Sequence, residues 1–319
     1  MRKLVAALLG MLCAASALAQ DYPSRPIRLI VPFAAGGGTD VVARTLAIKL
    51  SKEMGQSVVV ENRVGASGVI GTDATAKSAP DGYTIMIATP TFTVNPSLMA
   101  KLPYNTVRDF APVALVATSP HLLAVHPSVP VRSVAELVAY ARQRQEPVTY
   151  SSGSVGGSSH LAGELFSSMA GLKMLHVPYK GTGEAAAALV GGTVSAAFLD
   201  VQTLLPLVRA GRLRALAVTG PRRSEILPDL PTIAESGYPG FESGLWYGII
   251  APGATPPAII ARLNAEIGKA VHSPEMKKIF QDAAAEPAGG TSQAFVELIT
   301  AELDRWAKAI KRAGLEPAR

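Results

Sequence analysis

The sequence predicts an α/β fold with largely parallel sheets and two units, and three observations carry that prediction. Short β-branched or apolar runs alternate with longer stretches of helical periodicity, the pattern of strands joined by helical crossovers. The turns after several of these runs are rich in Gly, Ser and Thr and poor in charge. Two strand-like runs are followed by Pro or Gly, near Thr118-Ser119-Pro120 and Thr219-Gly220-Pro221. Two such crossings make one unit discontinuous. The expected division is a leader over 1–19, a first domain from 20–118 plus 221–319, and a second domain over 119–220.

The elements follow in order. After a Pro-rich start, a strand over 27–32 runs into Ala35-Gly36-Gly37-Gly38-Thr39-Asp40 and a helix. Strands are expected over 58–61, 83–88, 113–117 and 122–125. Ser133 with Glu136 three residues on, beside Val134, Leu137 and Val138, is a capping-box pattern that opens a helix running to about Gln145. A strand over 148–150 leads into the hydroxyl-rich stretch "SSGSVGGSSH", and one over 174–177 into Tyr179-Lys180-Gly181-Thr182-Gly183-Glu184. Leu189-Val190-Gly191-Gly192 ends a helix in the manner of a glycine C-cap. Strands over 196–199, 213–218 and 247–251 complete the set. The final helices carry apolar stripes, Ile259, Ile260, Leu263, Ile267 and Val271 in one, Phe295, Leu298, Ile299, Trp306 and Ile310 in the other. Such stripes are core faces.

Arg2 and Lys3, an apolar run and Ala17-Leu18-Ala19 have the form of a secretory signal peptide, with cleavage expected before Gln20. The run is too short to span a bilayer, which takes about 20 residues. The chain has one cysteine, Cys13, inside that leader, so the exported part is expected to form no disulfide. A formal charge of +6, two of it from Arg2 and Lys3, is spread without a basic block. It suits a protein that meets anions and argues against nucleic acid as a partner.

Several chemistries fail on spacing. The glycines at 36–38 lack the following lysine of a phosphate loop, because the next lysine is Lys49. A dinucleotide fingerprint would place Gly or Ala where Val41 stands. No serine lies in G-x-S-x-G, and His160 follows its neighbouring serines too closely in sequence to face them on a helix. His121, His126, His160, His176 and His272 form no close ligand pair. No cofactor, metal or catalytic residue is expected. What the turns do suit is anion binding, since uncovered amides at a helix N-terminus carry roughly half a positive charge. Asp40 is expected to cap its helix and leave the Gly37 and Gly38 region facing a ligand. Turns of this type recur at Ser154 to His160 and around Thr182, and from two domains they would face each other across a cleft.

Four ordered stretches, "YPSRPIRLIVPFAAGGGTDVVAR", "SSGSVGGSSHLAGELF", "HVPYKGTGEAAAALVGG" and "WYGIIAPGATPP", resemble the Bug family of extracytoplasmic solute receptors. These are the periplasmic binding components of tripartite tricarboxylate transporters. The resemblance covers essentially the whole chain. It implies a two-domain, type II-like periplasmic binding protein fold with two crossover strands, closing on a small organic acid and handing it to the transporter's membrane subunits. A periplasmic monomer without enzymatic activity is therefore expected. Carried over residue by residue, the resemblance points to Phe33, Gly37, Gly38 and Thr39 on one side and Ser154, Ser158, Ser159 and His160 on the other. Asp200, in "AAFLD", matches the family's acidic position, placed to read a ligand amine or hydroxyl or to brace its loop. Thr89, Thr91 and Phe92 fall in a variable family segment, with Thr91 kept as a site residue. Ala35 stands where the family often has proline. Trp246 is expected to pack the interface rather than reach the cleft. Two other readings use the same residues, a sensor subunit that presents its ligand to a signalling partner, and an exported hydrolase built on Ser154 or Ser158 with His160.

Overall fold

A computed structural model describes residues 22–282 and 285–312; the leader expected over 1–19 lies outside the described residues. β1 (Ile27–Val31) leads to α1 (Gly38–Met54), followed by β2 (Val58–Asn62), α2 (Val69–Ala76), β3 (Thr84–Ala88) and α3 (Thr91–Leu98). β1 pairs in parallel with both β2 and β3. The chain then enters β4 (Phe110–Val125), 16 residues long. Beyond it lie α4 (Val134–Gln143), β5 (Thr149–Ser152), α5 (Ser158–Ala170), β6 (Leu175–Pro178), α6 (Thr182–Val190), β7 (Ala196–Asp200), α7 (Val201–Arg209) and β8 (Arg214–Val218). β9 (Gly244–Pro252), α8 (Pro257–Val271), α9 (Pro274–Asp282), β10 (Glu286–Pro287) and α10 (Ser292–Arg312) follow.

The strand order is β2-β1-β3-β9-β4-β7-β5-β6, with β8 and β10 also pairing β4. β4 is one strand, where the sequence predicts two. Its first part pairs with β9 as far as Pro120 opposite Gly244, and from His121 onward it pairs with β7. Pro120 offers no amide hydrogen to a ladder, which hides the continuity at the very point where the partner changes. Gly244 is needed there, because a Cβ would lie 2.7 Å from the Ser119 carbonyl oxygen. The sheet is mixed, correcting the expectation of largely parallel pairing. β5 runs parallel to β6 and β7, but the crossing strands β4 and β9 meet their neighbours antiparallel.

Helices cover each half of the sheet on both faces. Leu46 and Leu50 of α1 with Leu263 and Ile267 of α8 are buried on one face of the first half, and Phe92 and Phe295 on the other. In the second half, Leu137, Phe166 and Phe198 pack on one face and Leu189, Leu199 and Leu204 on the other. After β8 the chain remains with the second half, burying Ile233 and Phe241 beside Phe166, and it passes back along β9 from Gly244. Ser133 caps α4 as the sequence predicts, accepting the Glu136 amide at 3.1 Å, and the Glu136 carboxylate reaches one residue beyond the cap to accept the Arg132 amide at 2.7 Å. α3 and α7 have no counterpart among the predicted elements, because each is short and contains a proline, Pro96 and Pro206.

Candidate functional site

Between the two halves lies a cavity of about 750 Å³, the size range of small-molecule sites. Its construction starts from the helix N-termini. Gly37, Pro90, Gly157 and Asp200 precede α1, α3, α5 and α7, and none of the four termini has a side-chain cap. Gly36, Gly38 and Thr39, then Pro90 and Thr91, then Gly156, Gly157 and Ser158, then Asp200 and Gln202 all line the cavity. First-turn amides lack intrahelical partners, so the termini of α1, α5 and α7 bring uncapped donors to the cavity. At α3 the Phe92 and Thr93 amides turn back to the Thr89 and Pro90 carbonyls at 2.8 and 3.1 Å and leave the Thr91 amide. The helix dipoles make the cavity attractive to an anion.

Asp40 explains why the first turn stays open. Instead of capping α1, its carboxylate reaches back to accept the Gly36 amide at 2.9 Å, and also binds Arg44 Nε at 2.8 Å and Asn62 Nδ2 at 2.8 Å. The hydrogen bond from Arg44, ahead of those from Gly36 and Asn62, holds this carboxyl down at about 2 against the cost of burial. Gly36 takes a φ of +82°, a conformation that glycine adopts without strain. The turn is thus locked from behind and its cavity side left bare.

The side chains give the cavity a different sign. Its charged lining groups are Asp200 and Asp282; no Lys, Arg or His lines it among the described residues. Asp200 Oδ1 lies 3.2 Å from Nδ1 of the buried His121. Tyr247 also lines the cavity, and its hydroxyl is pushed up to about 12 by burial and then by the negative charge of Asp200. A Cβ on Gly38 would stand 3.5 Å from that hydroxyl, so Tyr247 stands against the α1 terminus.

Of the residues expected at the site, Phe33, Gly38, Thr39, Thr91, Ser158 and Asp200 line the cavity, as does Thr89. Gly37 is the residue before α1. Ser154, Ser159, His160 and Thr182 do not line the cavity: Ser159 and His160 are buried, Thr182 is half-buried and Ser154 is exposed. The Ser159 hydroxyl accepts the Gly153 amide at 3.2 Å, Ser154 presents its carbonyl to Ser152 Oγ at 3.0 Å, and a Cβ on Gly153 would lie 3.0 Å from the Thr182 nitrogen. His160 is only 3% exposed, and its Nδ1 accepts the Gly156 amide at 2.9 Å. Its Nε2 lies 3.7 Å from Glu164, so neither nitrogen serves a serine, and the serine hydrolase reading loses its base. His176 does contact a serine, Ser152, at 2.6 Å, but that serine is fully buried.

Sequence reasoning missed Val94, Ser119, Gln202, Leu245 and Tyr247 as lining residues. Strand alternation was the available signal for Tyr247. Trp246 is buried against Phe295 at 5.5 Å between ring centroids, with Nε1 donating to Glu302 at 2.7 Å, so its neighbour in β9 faces the cleft. Among the described residues there is no group of three or more His, Cys, Asp or Glu that could hold a metal ion, and no helix is long and apolar enough to cross a membrane.

Residues 42–315 match the family model described as tripartite tricarboxylate transporter family receptor. The protein BugT of Bordetella pertussis is 41% identical over 303 residues, 94% of this chain and 93% of that protein. Among solved structures, Rpa4515 of R. palustris with adipate is 40% identical with a TM-score of 0.74, covering 93% of this chain and 100% of that one. A TctC solute-binding protein from Polaromonas, without ligand, has a TM-score of 0.85 at 30% identity, covering 91% and 99%.

Proposed function

The chain belongs to the tripartite tricarboxylate transporter receptor family, a family of solute-binding receptors with a periplasmic binding protein fold, and from that premise we propose that it captures a small carboxylated solute in the cleft and delivers it to a membrane permease. The observation that carries this reading is the convergence of four helix N-termini without side-chain caps on one cavity. A carboxylate there gains amide hydrogen bonds and favourable dipoles without a cationic side chain. The adipate held by the Rpa4515 relative supports the same ligand class.

On this reading Gly37, Gly38, Thr39 and Phe33 face Thr91, Gly157 and Ser158 around the bound acid, while Asp200 accepts a hydrogen-donating group elsewhere on the solute. Ser159 and His160 shape the second turn from behind through the Gly153 and Gly156 amides, with Ser154 and Thr182 at its edge. The division into two lobes is kept, with the return to the first lobe moved from the expected 221 to 244, since Ile233 and Phe241 are buried with the second half. Closure of the lobes about β4 and β9 encloses the solute. The protein acts in the periplasm after removal of residues 1–19, as a monomer without catalytic activity.

The test is a thermal-shift panel of di- and tricarboxylates, aromatic acids and amino acids. A ligand at 100 times its Kd adds about 2.7 kcal/mol to the stability of the folded state, so at least one acid is expected to raise the midpoint clearly. No shift with any acid refutes the proposal. Asp200→Asn is expected to reorder affinities across the panel without unfolding the protein.

A further inference from the structure

The turn between β5 and α5 supplies three cavity-lining residues, Gly156, Gly157 and Ser158, and two histidines outside the cavity grip it at two points. His160 Nδ1 accepts the Gly156 amide at 2.9 Å, which requires that nitrogen to be unprotonated. Ser152 Oγ donates to the Ser154 carbonyl at 3.0 Å, leaving its lone pairs to His176 Nε2 at 2.6 Å. His176 therefore holds the Ser154 end through Ser152, as His160 holds the Gly156 end directly. The two rings stack on each other, with centroids 3.8 Å apart and planes 17° from parallel. Tyr150 lies beside both rings, and its hydroxyl donates to Glu164 at 2.6 Å.

We propose that His160 and His176 are positioning residues that together latch the Ser154–Gly157 turn, and that protonation of His160 releases its Gly156 end, whereas His176, already the donor to Ser152 through Nε2–H, keeps its hold. This rests on the proposed function only for its consequence, that solute capture weakens in acid. The titratable groups facing His160 are His176 on β6, Tyr150 on β5 and Glu164 on its own helix. Glu164 is the one acid among them, and its Oε1 already receives the Tyr150 hydroxyl. A proton on His160 Nδ1 must displace the Gly156 amide, and the first charge in the stack opposes the second. Burial, then the neighbouring His176, lowers His160 to about 4, and burial lowers His176 as well. The Gly156 end of the latch is therefore closed at neutral pH and opens only in distinctly acidic surroundings.

The experiment needs no ligand, so its outcome is independent of whether a carboxylate binds. In the ¹⁵N-labelled protein, ring nitrogen shifts report the His160 tautomer, and hydrogen exchange reports the Gly156 amide. At neutral pH the expected state is Nε2–H with Gly156 protected. As His160 protonates, Gly156 protection should fall at least about tenfold while amides of β1 keep theirs. His160→Ala should remove that protection at every pH. His160→Asn, whose side-chain oxygen can accept the same amide, should restore part of it and abolish the acid step. Nδ1–H at neutral pH, a step shared with β1, or an unchanged step in His160→Asn would overturn the latch; if His160→Ala does not fold, the Asn variant decides.

Discussion

Replacing Asp40 by Asn tests whether the open first turn is held by a charge. The carboxyl sits at about 2 instead of 3.8, and each pKa unit corresponds to 1.36 kcal/mol. That sets a ceiling of about 2 kcal/mol, and since the Arg44 side chain is half-exposed, solvent screening brings the expected loss to about 1 to 2 kcal/mol. The folded-state pKa is depressed, so the stabilisation is complete above the unfolded value of 3.8 and disappears as pH falls through about 2. Urea unfolding of wild type and Asp40→Asn should thus differ by about 1 to 2 kcal/mol at pH 7 and converge near pH 2. Equal destabilisation at both pH values would show that Asp40 acts through shape and not charge. No loss at pH 7 would remove it from the turn's support altogether.

Three further substitutions probe the frame around the cleft. Gly163→Ala places a methyl against the buried Tyr150 ring, and overpacking there is expected to cost about 1 to 3 kcal/mol in unfolding experiments. Trp246→Phe removes the indole donor from the buried Glu302 carboxyl, whose pKa burial already raises. Leaving that group short of a partner should cost about 1 to 3 kcal/mol, measured by urea unfolding, whereas Tyr247→Phe should leave stability nearly unchanged.

The sequence determined the parts whose causes are local. β1, the glycine turn and the Ser133 cap were legible because strand runs, positive-φ glycines and capping pairs are written within a few residues. The recurring turns carried the expectation of a cleft, and the family motifs added the class of its ligand. The tertiary structure decided what depends on distant partners. α3 and α7 bring two of the four N-termini, yet their internal prolines argue locally against helix. Pro120 interrupts strand propensity in a strand whose continuity comes from β9 and β7. His160 and Ser159 stand in the expected turn, and only packing against His176 and Gly153 turns them away from the cavity. Asp40 shows the division most directly: its place in the first helical turn is written in the sequence, but the choice of Gly36, Arg44 and Asn62 as partners belongs to the fold. Periodicity and capping act over one or two turns of chain, whereas the convergence of helix ends on a common cavity is fixed by the sheet that holds them.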